Sequence, residues 1–206
     1  GMRYIVGDFN GTANFESQVI TSQALDFYVT KYDENGNLVW VKKGNGTGDQ
    51  KARDIVIDDG LLFICGGGAP CNFDTLTINS GGFILKLTQS GEGTEIFQTA
   101  NEIVNITIDL EDNLIVSMIK YMTHPYWSDW TSLAKLSSTG QVLWQHPIVG
   151  YNGTISYPET ESNLNIIEVG TYQTAAWIRL NKYTSEGSAI SDRTFPYTGA
   201  SDIKRT

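Results

Sequence analysis

FYVTKYDENGNLVW, residues 27 to 40, reads as strand, glycine turn, strand, and it returns three times along the chain. The later copies are GFILKLTQSGEGTEIF (82 to 97), SLAKLSSTGQVLW (132 to 144) and the fainter AWIRLNKYTSEGSAI (176 to 190). A basic residue in each first strand sets a register through Lys31, Lys86, Lys135 and Arg179, and Gly36, Gly91, Gly140 and Gly187 mark the turns. Glycine suits these turns because it adopts a left-handed backbone without a Cβ clash. Trp40 and Trp144 close the second strand at the same offset from Lys31 and Lys135, a place taken by Ile96 and Phe97 in the second unit.

A further hairpin precedes each later copy: ARDIVIDDGLLFICG (52 to 66), EIVNITIDLEDNLIVS (102 to 117) and GTISYPETESNLNIIEVG (153 to 170). Its turns fall at Asp59-Gly60, Asp112-Asn113 and Ser162-Asn163. The strands are rich in Ile, Val and Leu, as packed sheets require. Four antiparallel strands recurring about every 50 residues predict propeller blades around an axis. The first unit lacks its opening strand, and GASDIKRT (199 to 206) supplies the match, with Ala200, Asp202 and Ile203 falling on Ala52, Asp54 and Ile55 of KARDIVID. The expected architecture is therefore one all-β domain over 1–206, a four-bladed β-propeller with circular closure, and its structural rival is a fragment of a larger propeller. Blade 1 joins 200–206 to 3–44, blade 2 covers 51–98, blade 3 covers 102–148 and blade 4 covers 151–195. Closure removes open sheet edges and their aggregation hazard.

The stretches GDFNGTANF (7 to 15) and DFYVTKYDENGNLVWVKKGNGTGDQKARDIVID (26 to 58), followed by CNFDTLTINSGGFILKL (71 to 87), resemble the bacterial β-propeller repeat family called SBBP. The resemblance implies propeller blades in bacterial surface or secreted proteins and brings no catalytic residues with it. Units three and four depart from the pattern.

Composition narrows the function. With 14 basic against 23 acidic residues the net charge is −9, which repels a phosphate backbone and argues against nucleic acid as a partner. No apolar run approaches the roughly 18 residues of a membrane span, and the N-terminus lacks the pattern of a signal peptide. Met2, after a Gly1 that reads as a tag remnant, points instead to an intracellular or viral setting, so the compartment stays open. Apolar residues at 40% suffice for a sizeable core.

Cys65 in a strand and Cys71 in the following loop exclude a disulfide framework, and burial of Cys65 as a small hydrophobe is the plainer reading than a bridge. The N-x-T sequons at Asn10, Asn45, Asn105 and Asn152 fall on turns or strands. Asp33-Glu34-Asn35-Gly36-Asn37 has oxygen ligands at alternate positions, but its glycine stands fourth rather than sixth and no glutamate closes a calcium loop, so a hairpin turn is expected. His124 and His146 each precede proline without a second metal-type ligand at suitable spacing. No metal, no cofactor and no catalytic set is assigned.

The connection between the second and third strands of each unit varies most. From strand anchor to basic residue it runs Gly7 to Lys31, Gly66 to Lys86, Ser117 to Lys135 and, much shorter, Gly170 to Arg179. One face then carries three long loops. In the third, YMTHPYWSDW (121 to 130) gathers Tyr126, Trp127, Asp129 and Trp130, rings and hydrogen-bonding groups of the kind that form ligand platforms. The plain alternative is that these rings fold over their own blade. The expectation is a non-catalytic binding or interaction module with a glycan or protein partner at these residues. The alternatives are a glycan hydrolase or lyase using carboxylates such as Asp129 and Glu159, and a structural part of a virion or surface assembly. Trp40 and Trp144 are expected to pack between blades, and the repeated basic residues to lay their stems there with the charge at the rim.

Overall fold

The computed structural model describes residues 1–120, 130–148, 159–161, 165–172 and 177–196. All regular structure in them is β. No helix among the described residues is long and apolar enough to cross a membrane. The chain divides into two compact units, Gly1–Ile106 and Thr107–Thr206.

In the first unit β1 (Arg3–Phe9), β4 (Asp26–Tyr32) and β5 (Leu38–Lys43) form a sheet in that order. A four-stranded sheet follows from β7 (Gln50–Asp58), β8 (Leu61–Gly68), β11 (Gly81–Thr88) and β12 (Gly93–Thr99). Between them lie β2 (Thr12–Phe15), β3 (Gln18–Thr21), β6 (Asn45–Gly46), β9 (Cys71–Phe73) and β10 (Leu76–Ile78). Two further sheets run β13 (Glu102–Ile108), β14 (Leu114–Lys120), β15 (Trp130–Leu136), β16 (Val142–Ile148), and β17 (Glu159–Glu161), β18 (Asn165–Tyr172), β19 (Trp177–Thr184), β20 (Ala189–Pro196), each in chain order.

The alternation of apolar residues that marks these strands becomes a core in the first unit. Phe27 and Val29 of β4 meet Leu62 and Ile64 of β8, and Phe83, Leu85 and Leu87 of β11, all fully or almost fully buried. Phe27 stacks on Phe73 with centroids 5.8 Å apart and leans on Phe83 at 5.2 Å. At about 25 cal/mol per Å² such side chains supply most of the stabilisation of the unit. Cys65 and Cys71 are both buried and free.

The repeated turns share one geometry. Asp33 N–H donates to Asn37 O, Gly36 N–H donates to Asp33 O, and the pattern recurs at Thr88–Glu92, Asp109–Asn113, Ser137–Gln141 and Thr184–Ser188. Each third-to-fourth-strand turn has a glycine at positive φ: Gly36 at 88°, Gly91 at 85°, Gly140 at 79° and Gly187 at 85°. This is a type I turn followed by a left-handed residue with a bulge, a common three-residue hairpin loop. Asp33 uses its carboxylate inside the turn, accepting from the backbone of Asn35 and Asn37 at 2.9 and 2.8 Å.

The bulge corrects the register of the fourth repeat. It falls after Lys31, Lys86 and Lys135, and in β19 after Lys182 rather than Arg179. Lys182 lies five residues before its turn glycine, as the other three lysines do, and faces Ile167 across β18 as Lys135 faces Ile115 across β14. Arg179 is opposite Gly170, three residues nearer the start of β19.

Lysine and tryptophan act together. Lys31 Nζ and Trp40 Nε1 both donate to the carbonyl oxygen of Gln89, at 2.9 and 3.3 Å. In the second unit Lys135 Nζ and Trp144 Nε1 donate to the carbonyl of Ser185, at 3.3 and 2.9 Å. In each case the accepting turn belongs to the next sheet, and its glycine, Gly91 or Gly187, sits against the indole where a Cβ would crowd it. In the second sheet the register places Glu95, not Ile96 or Phe97, at the tryptophan position, opposite Lys86 and 3.8 Å from its ammonium, and Lys86 lies over the Phe63 ring. The tryptophans thus pack between sheets as the sequence predicts. Lys135 departs from the expected exposure at the rim: it is 3% exposed and held by Asp109 at 2.8 Å and Glu111 at 3.7 Å. A buried ammonium needs such partners.

Candidate functional site

The long connections between second and third strands are ordered hairpins in the first unit, where the sequence suggests loops. Between β1 and β4 the chain folds as β2 and β3, with Phe15 opposite Gln18. Between β8 and β11 it folds as β9 and β10, and β6 pairs with β9. Both hairpins carry the same short signature, Asn14-Phe15-Glu16 and Asn72-Phe73-Asp74, with the acidic residue at positive φ (48° and 51°). Strands of three or four residues are too short for alternation to reveal, but this doubled signature was available as a turn signal. Phe15 anchors one hairpin on Tyr28 at 5.1 Å, and Asp74 ties the other to Lys42 at 2.9 Å.

Of the residues singled out by sequence, Tyr126, Trp127 and Asp129 lie outside the described residues, as does His124. Trp130 opens β15, its backbone opposite Lys120. Glu159 opens β17 opposite Ile167. His146 on β16 stacks on Tyr183 with centroids 5.5 Å apart and packs beside Trp144 at 5.1 Å. Among the described residues no three His, Cys, Asp or Glu side chains gather as a metal-binding set.

A polar cleft of about 330 Å³ opens in the first unit where β3 ends, β4 begins and β5 gives way to β6. Thr21, Ser22, Gln23, Asp26, Lys43 and Asn45 line it. Asp26 is only 1% exposed, and Lys43 Nζ donates to its Oδ2 at 2.6 Å and to the Gly44 carbonyl at 3.2 Å. Asp26 Oδ1 is buried with no hydrogen-bond partner. Ser22 turns its hydroxyl back to the Phe9 carbonyl at 3.3 Å. The nearby Cys71 thiol is pushed up to about 12, chiefly by burial and then by the Asp26 charge, with Lys43 opposing. It is no nucleophile at neutral pH, because the thiolate is the reactive form. Burial likewise raises the Cys65 thiol well above its ordinary range. No local stretch of sequence marks this cleft. Asp26 and Lys43 are 17 positions apart, and only the return of β5 along β4 brings them together.

No protein-family model matches the chain. No curated protein matches it either. Solved structures do. A protein of unknown function from Bacteroides caccae superposes with TM-score 0.51 at 8% identity, over 94% of this chain and 58% of that one. BamB from Moraxella catarrhalis superposes with TM-score 0.50 at 15% identity, over 94% of this chain and 51% of that one. The chain therefore spans about half to three-fifths of the length of these structures. At such identities the likeness concerns the fold alone. BamB is a β-propeller, and the fold of this chain is β-propeller-like.

Proposed function

We propose that this chain is a non-catalytic binding module that takes a glycan or protein partner on the side where the second and third strands of its blades are joined. The observation that carries this reading is the elaboration of those connections. Adjacent antiparallel strands need only a two-residue link, yet residues 10–25 and 69–80 are built into hairpins that neither extend the main sheets nor carry a reactive set. Loops and insertions on a rigid scaffold are where binding residues concentrate. The corresponding connection of the third sheet contains Tyr126, Trp127 and Asp129 and ends on Trp130, the aromatic group proposed to meet the partner.

The test is a glycan array together with a pull-down, repeated with Trp127→Ala. Binding that the substitution weakens supports the reading, and silence in both assays overturns it. A glycan hydrolase would need two carboxyl groups about 5–10 Å apart across an open groove. The described cleft offers one, Asp26, already tied to a lysine.

The architecture proposed with this function is four blades in a closed ring, residues 200–206 completing the first sheet. Two features support it: β1 has β4 as its one hydrogen-bonded neighbour among the described strands, whereas its counterpart β8 lies between β11 and β7. GASDIKRT is the segment whose sequence matches β7.

A further inference from the structure

We infer that the Asn10–Gly11 linkage is a site of spontaneous deamidation, and that its isoaspartyl product unfastens the β2–β3 hairpin from the end of β1. The linkage reacts whether or not the chain binds a partner.

Four Asn-Gly pairs occur in the chain, at residues 10–11, 35–36, 45–46 and 152–153. Glycine after asparagine favours this reaction, because no Cβ hinders approach of the following backbone nitrogen to the side-chain carbonyl carbon. By sequence the four are alike; their surroundings separate the three that are described, Asn152 lying outside the described residues. Asn10 and Gly11 form an exposed bend between β1 and β2. Among the described residues the Asn10 amide has no hydrogen-bond partner and the Gly11 N–H donates to no group. A Cβ built on Gly11 meets no atom within 4 Å, so a ring closing over this glycine has room.

The other two pairs are held. The Gly36 N–H donates to the Asp33 carbonyl at 3.1 Å, and the Asp33 carboxylate accepts from the Asn35 N–H at 2.9 Å. A bonded N–H is harder to deprotonate, and the carboxylate opposes the negative charge that develops there. Asn45 and Gly46 are fixed in β6 against β9, with Gly46 opposite Cys71. A Cβ on Gly46 would run into the Gln50 amide and the Pro70 carbonyl, which leaves a closing ring little space.

The chemistry needs only water. The Gly11 nitrogen gives its proton to hydroxide and attacks Asn10 Cγ, forming an N–C bond, while the side-chain nitrogen takes a proton from water and leaves as ammonia. Water then opens the cyclic succinimide. Cleavage of its Cγ–N bond yields aspartate, and cleavage of the bond from nitrogen to the main-chain carbonyl carbon yields isoaspartate, whose backbone runs through Cβ and Cγ. Both products gain a negative charge, and isoaspartate adds an atom to the main chain.

That atom falls at a joint. Phe9 ends β1 opposite Asp26, and Thr12 opens the hairpin opposite Thr21. Ser22 spans residue 10, its hydroxyl donating to the Phe9 carbonyl at 3.3 Å and its N–H to the Gly11 carbonyl at 2.8 Å. A backbone lengthened between those two acceptors cannot keep both bonds, so the hairpin loses its anchorage.

The experiment incubates the full chain at mildly alkaline pH, folded in buffer and unfolded in guanidinium. Peptide mapping with electron-transfer fragmentation follows each pair and separates aspartate from isoaspartate. In denaturant the pairs at 10, 35 and 45 are expected to react at similar rates. In the folded protein Asn10 is expected to stay close to its unfolded rate, while Asn35 and Asn45 each slow at least about fivefold, the factor one net hydrogen bond puts on a rate. Hydrogen exchange on the aged protein is expected to show lost protection over residues 12–22. Asn10→Gln, whose larger ring closes far more slowly, is expected to age without that loss. Fresh Asn10→Asp, which carries the charge on an ordinary backbone, is expected to keep the hairpin. Asn10 slowed on folding as much as Asn35 and Asn45, or all three reacting alike in the folded protein, would overturn the site. Full protection of the hairpin despite isoaspartate at residue 10, or a loss of protection that fresh Asn10→Asp reproduces, would overturn the effect of the lengthened backbone.

Discussion

Two tryptophans and two lysines converge in pairs on a single carbonyl oxygen each, and this arrangement sets the strength of the contact between neighbouring sheets within a unit. Trp144 packs on Ile115, Leu133 and Tyr183 while donating to Ser185. Trp144→Ala is expected to cost about 3–5 kcal/mol, and Trp144→Phe about 1 kcal/mol beyond the change in ring packing, the share of the lost hydrogen bond. Urea unfolding monitored by circular dichroism separates the two, and an unchanged midpoint for the alanine variant contradicts this account. The tryptophan was legible in sequence from its constant offset after lysine. The acceptor was not, because a backbone carbonyl belongs to every residue and Gln89 and Ser185 share no side-chain chemistry. Asp109 makes a pH prediction. Burial pushes its carboxyl up, but the Lys135 ammonium and the N–H groups of Asn113 and Glu111 outweigh burial and leave its pKa lowered. A lowered folded pKa contributes stability that is present above the unfolded value, about 3.9, and is lost as pH falls through the folded one. Stability is thus expected to decline below about pH 4, and Asp109→Asn to flatten part of that decline while lowering stability at pH 7. A variant with the parent's acid limb would contradict this assignment.

Among elements, the five related turns offer a comparison. Four have glycine at the left-handed position, whereas the turn between β13 and β14 has Asp112 there, at φ 61°. Left-handed backbone disfavours residues with a Cβ, Asp less than most. Asp112→Gly is therefore expected to stabilise by about 0.5–1 kcal/mol after the entropy gained by the unfolded chain is counted. A lower melting temperature would show that the Asp112 side chain contributes more than its backbone strain costs. The same turns explain what sequence could and could not place. The hairpin of residues 27–40 was legible because apolar alternation and a glycine turn agree. The fourth repeat was misaligned through Arg179, since a basic residue in a strand is weaker evidence than the bulge and turn that place Lys182. The hairpins β2–β3 and β9–β10 escaped because neither has a strand longer than four residues, although their shared Asn-Phe-acid signature marks them once both are seen.

At the scale of the whole molecule, the repeat period carried the all-β, propeller-like fold, because each unit must bury the same faces in the same order. The candidate site was legible only as a pattern of variable connections. The Asp26–Lys43 cleft comes from pairing between strands, which no local stretch of sequence encodes. Blade number and closure remain the central proposal, and the described strands give it a register. Tyr4 faces Lys31 as Phe63 faces Lys86, so Ile5 corresponds to Ile64, which pairs with Ile55, the residue that Ile203 matches. Cross-strand partners lie at a Cα separation that a disulfide spans. The direct measurement is oxidation of the Ile5→Cys, Ile203→Cys double variant followed by peptide mapping. Closure predicts an intramolecular link between positions 5 and 203 in the folded monomer; free thiols at both positions, or links formed only between chains, would contradict it.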